Sequence, residues 1–355
     1  MLEKININKN IFLVNLVFGE VYCNLNCSYC SYPKESVKNL NISDLNIVKE
    51  NISLLKKIVT ERFPFCKIIS ITGGEPLLYP NILKIIAETF SDYSVRISTN
   101  GTLLSSTIIK LAKRYDNMYF AISLDGDTSS SNIFRTDSSL VLKNILKNID
   151  TLEKNYIPVE VLTTLHRKNI DEFFVFLKNS NARYSKAIKE NRFWLLASSV
   201  VDHNKSKSSD KFCPSKKQLS KFKKLLKENM ELDLIKNIYP YYAELGKYYS
   251  YSQKRNICSM FDWALHLKFL SDSLWTDGYF LLYGCGCRGL KVLGRFNLKS
   301  KFDAEEVMER TQSPILRDFF TNKSYICKND CFNNWQFYDL LIKNPSLKKK
   351  ISILK

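Results

Sequence analysis

The fold is decided by an apolar run, Ile11-Phe-Leu-Val-Asn-Leu-Val-Phe18, and by the segment that follows it, Val21-Tyr-Cys-Asn-Leu-Asn-Cys-Ser-Tyr-Cys30. The run is shorter than the roughly 20 apolar residues of a membrane span, so we interpret it as a buried strand. A C-x3-C-x2-C loop can bring three thiolates to three irons of one cubane cluster, because soft sulfur ligands suit iron–sulfur sites. With no fourth cysteine close by, one iron stays open to a substrate, next to the ring of Tyr29. The three cysteines are Cys23, Cys27 and Cys30.

Length and composition indicate a large globular protein. The chain has 355 residues, of which 45% are hydrophobic and 13% aromatic. This length exceeds the usual size of one domain, so we expect one large domain and a smaller one. No stretch approaches a membrane span and no secretory cleavage site follows the first apolar run, so we expect a cytoplasmic protein. Ten cysteines would be unusual for disulfides in a reducing compartment, which favours metal or catalytic use.

The formal net charge of +18 is compatible with nucleic acid or with an acidic partner. The lysines are spread along the chain, and the densest run, 205–227, contains an amphipathic helix whose lysines form its solvated side. We therefore interpret the charge as a basic surface and do not expect nucleic acid as a partner.

Apolar strands alternate with helical patterns as far as residue 200, which is typical of an α/β protein with a parallel sheet. Six β/α units predict a partial barrel rather than a closed eightfold one. The predicted strands are 11–19, 67–72, 94–98, 118–124, 158–164 and 192–200. The predicted helices are one capped by Ser43, then 80–91, 104–114, 139–154, 169–179 and about 215–231.

Glycines mark the edge of the sheet where a ligand would bind. The chain has only 11 glycines, yet four of them directly follow predicted strands. In parallel β/α folds the loops at the carboxyl ends of the strands hold the ligand, and glycine lets the backbone approach it closely. The cysteine triplet follows the first strand, at the same edge. The four residues are Gly73, Gly74, Gly101 and Gly126.

Three short motifs follow the second, third and fourth strands: Thr72-Gly-Gly-Glu-Pro76, Ser98-Thr-Asn-Gly101 and Ser123-Leu-Asp-Gly126. Together with the cysteine triplet, and in this order, they resemble the radical S-adenosylmethionine (SAM) enzymes over residues 11–200. The resemblance implies a partial (β/α)6 radical SAM barrel that holds a [4Fe–4S] cluster and SAM.

The resemblance also implies roles for individual residues. Gly73, Gly74, Glu75 and Pro76 would hold the amino group of SAM. Ser98 and Asn100 would bind the ribose, and Ser123 and Asp125 the ribose or the substrate. Tyr29 and Leu165, the latter at the end of the fifth strand, are further cofactor contacts, with Leu165 near the adenine.

Arg135 would bind the methionine carboxylate, because a guanidinium matches a carboxylate in charge and in shape. The alternative for Arg135 is a surface ion pair with Asp137. His166 is assigned no role.

In the family, SAM chelates the open iron, and one electron from a reductant such as flavodoxin or ferredoxin releases methionine and a 5′-deoxyadenosyl radical. That radical removes hydrogen from an unactivated position. The catalytic group is therefore the cysteine triplet with its cluster, while the protein supplies geometry and excludes water.

The C-terminal part, residues 236–355, resembles the SPASM/twitch extension of the same family, after a barrel domain at 1–235. The resemblance implies one auxiliary [4Fe–4S] cluster, a hairpin turn at Trp275-Thr-Asp-Gly278, and Cys285 or Cys287 as one ligand. The alternative is a zinc knuckle built from the same cysteines. The candidate ligands are Cys258, Cys285, Cys287, Cys327 and Cys331. Cys66 is interpreted as buried filler, and Cys213 as filler with a reactive or substrate-facing thiol as the alternative.

The leading interpretation is a radical SAM oxidoreductase that modifies a peptide or small protein, with the basic surface as one candidate docking site for an acidic peptide. The early position of Cys23 predicts that no leader-binding domain precedes it. A dehydrogenase or cyclase acting on a small metabolite is the second interpretation, and a non-catalytic zinc- or nucleic-acid-binding protein is the third. Asp202 and His203 are either acid/base groups or loop surface.

Overall fold

The computed structural model of the chain describes residues 12–18, 22–30, 45–199, 212–239, 241–242, 264–269, 279–283 and 295–297. Several residues singled out from the sequence lie outside these ranges. They are Ser43, Asp202, His203, Trp275, Gly278, Cys258, Cys285, Cys287, Cys327 and Cys331.

Strands and helices alternate through the larger part of the described chain. The strands are β1 Leu13–Phe18, β2 Ile68–Gly73, β3 Ser94–Thr99, β4 Met118–Ser123, β5 Val159–Leu165, β6 Phe193–Ser199, β7 Ala264–Phe269, β8 Tyr279–Tyr283 and β9 Arg295–Asn297. The helices are α1 Leu45–Arg62, α2 Pro80–Thr89, α3 Ser106–Arg114, α4 Ser139–Lys154, α5 Phe173–Arg183, α6 Ser185–Lys189, α7 Lys216–Glu228 and α8 Asp233–Lys236. A 3₁₀ turn, Pro76–Leu78, precedes α2.

The described strands form one sheet in the order β6-β5-β4-β3-β2-β1-β7-β8-β9. Strands β1 to β6 are parallel to their neighbours, so the six strands predicted from the sequence form the expected parallel α/β sheet. Their observed ends differ from the predicted ends by one or two residues. All six carboxyl ends therefore lie along one edge, where the loops of the candidate site begin.

The sheet continues beyond β1, which the sequence did not predict. Strand β7 pairs with β1 in parallel, and β8 and β9 follow as antiparallel strands. Strands β7 and β8 lie on either side in sequence of the predicted turn at 275–278, which is outside the described residues and stays a prediction. Because β1 has a neighbour on both sides, the strand that leads into the cysteine loop lies inside the sheet.

Helix α5 begins at Phe173, four residues later than predicted, because a side chain closes a turn before it. The Asn169 amide accepts a hydrogen bond from the backbone N–H of His166 (2.8 Å) and donates to the carbonyl of Thr164 (2.8 Å). Local bonds of this kind compete with helix formation. The polar turn replaces the first helical turn that the apolar periodicity predicts.

The core of the described chain includes residues from both faces of β1. Along β1, Leu13, Val14 and Leu16 are fully buried, as expected for a strand of a parallel sheet covered on both faces. Cys66 is also buried, and burial raises the pKa of its thiol to about 12, which agrees with a packing role. No helix in the described ranges is both long enough and apolar enough to cross a membrane.

A buried ion pair crosses the concave face of the sheet, which we call the lumen. The guanidinium of Arg96 on β3 donates two hydrogen bonds to Glu160 on β5, at 2.8 and 3.0 Å, and both side chains are almost fully buried. Ala121 lies between them, on β4, in register with Glu160. The small methyl group leaves room for the two long side chains to meet over β4. Arg96 also donates to Ser98 (2.6 Å) and Ser70 (3.3 Å).

The substitution Glu160→Gln removes the negative charge that faces Arg96, so we expect the free energy of unfolding to fall by about 3–5 kcal/mol. Urea denaturation followed by circular dichroism measures this change. Glu228→Gln is the control, because Glu228 forms an exposed ion pair with Lys224 (3.7 Å) whose loss should cost less than about 1 kcal/mol. Equal losses in the two variants would show that the buried pair does not stabilise the lumen.

Candidate functional site

The loop after β2 is held by a buried carboxylate. Glu75 is 1% exposed, and its carboxylate accepts hydrogen bonds from the Thr99 hydroxyl (2.6 Å) and the backbone N–H of Asn100 (2.8 Å). Its own N–H donates to the carbonyl of Tyr22 (2.8 Å). Glu75 therefore braces the loops after β1, β2 and β3 against one another. Burial raises the pKa of Glu75 to about 7, and the three donors to its carboxylate, the third being the N–H of Leu77, only partly offset this.

The cysteine loop lies beside Asn100. The Asn100 amide donates toward the sulfur of Cys23 (3.6 Å) and to the side chain of Asn24 (2.8 Å). The backbone N–H of Leu25 also points at the Cys23 sulfur (3.5 Å). The loop ends in a turn in which the N–H of Cys30 donates to the carbonyl of Cys27 (3.1 Å). Cys23 and Cys27 are half-buried and Cys30 is exposed, so the loop presents sulfur to the edge of the lumen.

Burial raises the pKa of the Cys23 thiol, and the nearby Glu75 charge adds to the effect. Burial also raises the pKa of Cys27, although the Arg135 guanidinium opposes it. A thiol must lose its proton to bind a metal, so metal binding by these cysteines would depend on pH. Within the described ranges no three His, Cys, Asp or Glu side chains gather around one point as a single metal ion requires. A cubane cluster does not require the cysteines to surround one point, because each cysteine binds a separate iron.

Asp125, just after β4, is a second buried acid of the site. Its carboxylate is buried and accepts hydrogen bonds from the Tyr29 hydroxyl (2.5 Å), the Arg135 guanidinium (3.1 Å) and the backbone N–H of Thr164 (3.0 Å). Burial alone would raise the pKa of Asp125, but Arg135, His166 and Tyr29 outweigh it and lower the pKa to about 2. Asp125 is therefore a buried negative charge within the site.

Arg135 is buried and pairs with Asp125, which rules out the alternative of a surface ion pair with Asp137 as its principal contact. The negative charge of Asp125 more than offsets burial and raises the pKa of Arg135. The guanidinium carbon lies 5.6 Å from the centre of the Tyr29 ring. Among the described residues the Nε of Arg135 has no hydrogen-bond partner. A buried donor without a partner costs free energy unless a ligand accepts from it, so Arg135 retains a donor for a carboxylate.

Three buried polar residues of this site were missed by the sequence analysis. His166 is fully buried, with Nε2 3.8 Å from the Asp125 carboxylate and Nδ1 accepting from the N–H of Lys168 (3.2 Å). Asn132 accepts from the N–H of Asp125 (3.0 Å), and Asn169 donates to its carbonyl (2.9 Å). His166 and Asn169 contact Asp125 from more than 40 residues away in the sequence, and Asn132 contacts it from seven residues away within the loop. No recognised motif spacing predicts these contacts.

Two glycines allow close approach of the loops. A β-carbon at Gly101, where φ is +76°, would lie 2.8 Å from a methyl group of Ile122. A β-carbon at Gly126 would lie 2.5 Å from the β-carbon of Ser131. Both distances are shorter than side chains tolerate, so glycine is required for the turns after β3 and β4. At these two positions the close approach is to side chains of the protein itself, and the predicted approach of backbone to a ligand stays a prediction.

The predicted ribose and substrate residues line the mouth of the lumen. Ser98 and Ser123 are half-buried near the ends of β3 and β4, and side chains alternate between the two faces of a strand. By the same alternation, Leu162 and Thr164 of β5 share the lumen face with Glu160. Leu165 does not, because its fully buried side chain lies on the opposite, helix-facing side. Any adenine contact from Leu165 would therefore come from its backbone.

The residues present fit a cluster and SAM in two respects. Three sulfur ligands occupy one short loop, and a buried arginine with an unpartnered nitrogen lies next to it. Gly73, Gly74 and Pro76 follow β2 on the same edge, with Gly74 half-buried and Pro76 buried at the start of the 3₁₀ turn. The structure thus brings together, along one edge, the predicted site residues that it describes.

Cys213 is half-buried on the segment that begins at Phe212.

Comparison with known sequences supports one family. A sequence profile described as the Radical SAM superfamily matches residues 21–178. A putative glycyl-radical enzyme activating enzyme of Methanocaldococcus jannaschii is 30% identical over 48% of this chain and 68% of its own length. A 7-carboxy-7-deazaguanine synthase of Methanothermobacter thermautotrophicus is 31% identical over 40% of this chain and 59% of its own length. The chain spans about half the length of the first curated relatives it matches.

Solved structures share the fold. That of histidine-tagged anSMEcpe with bound AdoMet has a TM-score of 0.58 at 17% identity, and the match covers 88% of this chain and 83% of that one. Native anSMEcpe with bound AdoMet and the Cp18Cys peptide has a TM-score of 0.55 at 14% identity, over 97% of this chain and 99% of that one. Given the profile match over the cysteine loop and the parallel strands, and a relative matched over two thirds of its length, this chain belongs to the radical SAM superfamily.

Proposed function

We propose that this protein is a radical SAM enzyme that cleaves SAM reductively and removes hydrogen from a peptide or small protein. Superfamily membership implies an enzyme with a [4Fe–4S] cluster and SAM. The main support for the proposal is that the cysteine loop lies beside buried Arg135 at the carboxyl-end edge of the sheet. When bound, the cluster supplies the electron that converts SAM to methionine and a 5′-deoxyadenosyl radical.

The residues of the chain would bind and orient the cluster and SAM. Cys23, Cys27 and Cys30 would hold the cluster, with Asn100 donating to the Cys23 sulfur. Arg135 would bind the carboxylate of SAM through its Nε, and Asp125 would fix the guanidinium in place. The remaining contacts proposed for SAM are those of Tyr29, Gly73, Gly74, Glu75, Pro76, Ser98, Asn100, Ser123, Asp125 and Leu165. The buried members of this set, Glu75, Pro76, Asn100, Asp125 and Leu165, would help to keep water from the site.

A structural neighbour and a curated relative support different substrate classes. The fold likeness to anSMEcpe with a bound Cp18Cys peptide, which extends over 97% of this chain, supports a peptide substrate. The alternative, a dehydrogenase or cyclase acting on a small molecule, is supported by the 7-carboxy-7-deazaguanine synthase, whose name describes a small-molecule product.

The C-terminal part is proposed as a second domain, residues 236–355, after a barrel domain at 1–235. It would bind one auxiliary [4Fe–4S] cluster through Cys258, Cys327, Cys331 and either Cys285 or Cys287. The hairpin pairing of β7 with β8 supports a SPASM/twitch-like arrangement. We further propose a cytoplasmic setting, a flavodoxin or ferredoxin as reductant, and an acidic peptide as the partner of the basic surface.

Anaerobic incubation of the reconstituted protein with SAM, dithionite and candidate peptides, followed by mass spectrometry, tests the proposal. Peptides encoded beside the gene are the first candidates. Formation of 5′-deoxyadenosine with a mass change in a peptide supports it. If 5′-deoxyadenosine forms and only a small metabolite changes, the alternative substrate class is correct.

The combined substitution of Cys23, Cys27 and Cys30 by alanine should abolish SAM cleavage and leave the fold intact. The three side chains are half-buried or exposed in a loop, so their loss opens no cavity in the core. Chromatographic assay of 5′-deoxyadenosine measures cleavage, and circular dichroism checks the fold. Continued formation of 5′-deoxyadenosine by the folded variant would refute the assigned cluster site.

Arg135→Lys should weaken SAM binding about tenfold or more without loss of iron. Lysine keeps a positive charge beside Asp125 but removes the Nε donor and the fork geometry, and a charge-assisted hydrogen bond contributes about 1.5–3 kcal/mol. Equilibrium binding of SAM to the reconstituted variant measures the change. Lys221→Arg, on the exposed face of α7, is a control that should leave affinity unchanged. Equal affinities in Arg135→Lys and wild type would remove Arg135 from the carboxylate site.

Iron content tests the auxiliary cluster. Two cubane clusters hold about eight irons per chain, so the triple cysteine variant should keep about four. Of the separate Cys285 and Cys287 variants, one should lose the auxiliary cluster and the other should keep it. Colorimetric iron analysis after reconstitution gives the numbers. About four irons in wild type and none in the triple variant would favour the zinc explanation for the C-terminal cysteines.

A further inference from the structure

The cysteine loop is tied to the segment after β4 by two hydrogen bonds. The hydroxyl of Tyr29 donates to the Asp125 carboxylate (2.5 Å), and the N–H of Ser28 donates to the carbonyl of Phe134 (2.7 Å). Ser28 and Tyr29 lie between the last two cysteines of the loop in the sequence, and Phe134 directly precedes Arg135. Both bonds therefore join the cysteine loop to the segment that carries the arginine.

The Asp125 carboxylate, which accepts the hydrogen bond from Tyr29, is held in place by several other contacts. Asp125 is buried and charged, and it also binds Arg135 and the backbone of Thr164. The neighbouring loop is held as well, because the hydroxyl of Ser131 donates to Glu172 (2.6 Å). A hydrogen bond to an immobile charged acceptor restricts the donor strongly.

We propose that the Tyr29 hydroxyl is a positioning group that fastens the cysteine loop to Asp125, and through Asp125 to Arg135. This restraint, which we call the lock, holds the cluster ligands and the carboxylate-binding arginine in fixed positions relative to each other before any cofactor binds. The proposal rests on the proposed function for one point, that the two bound groups are a [4Fe–4S] cluster and SAM. The lock itself is a property of the chain, and it can be measured without iron or SAM.

Tyr29→Phe removes only the hydroxyl. The phenyl ring keeps its packing beside His166, at 6.2 Å between ring centres, and beside Phe212, at 6.5 Å. The loop keeps the Ser28 bond. The expected consequence is an increase in local opening of the loop while the rest of the protein stays folded, because cooperative units open with separate free energies.

The chain contains a matched control with the same three residue types. The hydroxyl of Tyr184 donates to Asp150 (3.0 Å), Arg183 also pairs with Asp150, and the Arg183 guanidinium lies 5.7 Å from the Tyr184 ring centre. In the Tyr29 trio the corresponding guanidinium distance is 5.6 Å. The Tyr184 trio joins α4 to the end of α5, outside the site. Tyr184→Phe therefore deletes the same type of bond elsewhere.

The test is the rate of alkylation of each cysteine by iodoacetamide in iron-free protein, resolved by peptide mass spectrometry. In Tyr29→Phe the rates at half-buried Cys23 and Cys27 should rise about tenfold, as expected for the loss of a hydrogen bond to a charged acceptor. The rate at Cys66, which is buried in the core, should stay that of wild type. Tyr184→Phe should change none of the three rates.

Unchanged rates at Cys23 and Cys27 would overturn the proposal. A parallel rise at Cys66 would also overturn it, since that pattern reports general destabilisation rather than a released loop. After reconstitution, Tyr29→Phe should retain iron but bind SAM about tenfold more weakly, while Tyr184→Phe binds it normally. If wild-type protein fails to cleave SAM, the proposed function is wrong, and the alkylation result still decides whether the lock exists.

Discussion

The candidate site depends on the burial of one charged carboxylate. A carboxylate removed from water is strongly destabilising unless ionic and hydrogen-bond partners replace the water. Asp125 meets this requirement with Tyr29 from the cysteine loop, Arg135 from the segment after β4, and the backbone of Thr164 at the end of β5. Each partner comes from a different part of the chain. Keeping Asp125 charged therefore requires that these loops come together at the edge of the sheet.

A second buried acid at the same edge behaves differently, and the difference has a physical cause. Glu75 receives hydrogen bonds from neutral donors alone, and burial raises its pKa to about 7. Asp125 also faces a guanidinium, and its pKa falls to about 2. Stability due to charged Asp125 is present above its ordinary value of 3.8 and is lost only as the pH falls through about 2. Ionisation of Glu75 costs stability as the pH rises from 4.5 towards about 7.

The strands and the glycine turns were predictable because both depend on local sequence. Apolar runs located β1 to β6 to within two residues, and glycine follows the first four of these strands. The roles of His166 and Asn169 were not predictable, because each acts on Asp125 from another strand end. Leu165 shows a related difficulty. In a strand, a shift of one residue moves a side chain to the opposite face, so a motif can locate the end of β5 and still select the wrong neighbour.

The position of β1 links the site to the rest of the sheet. Strand β1 pairs with β2 on one side and β7 on the other, so the loop that follows it starts from an interior strand. An interior strand has hydrogen-bond partners on both edges and therefore less freedom to move than an edge strand. The Tyr29–Asp125 bond then restrains the loop at its far end. The cysteine loop is thus restrained at its start by the sheet and near its end by a hydrogen bond to a buried charge. The proposed cluster site would need support at both ends, because small displacements of reacting groups reduce rates steeply.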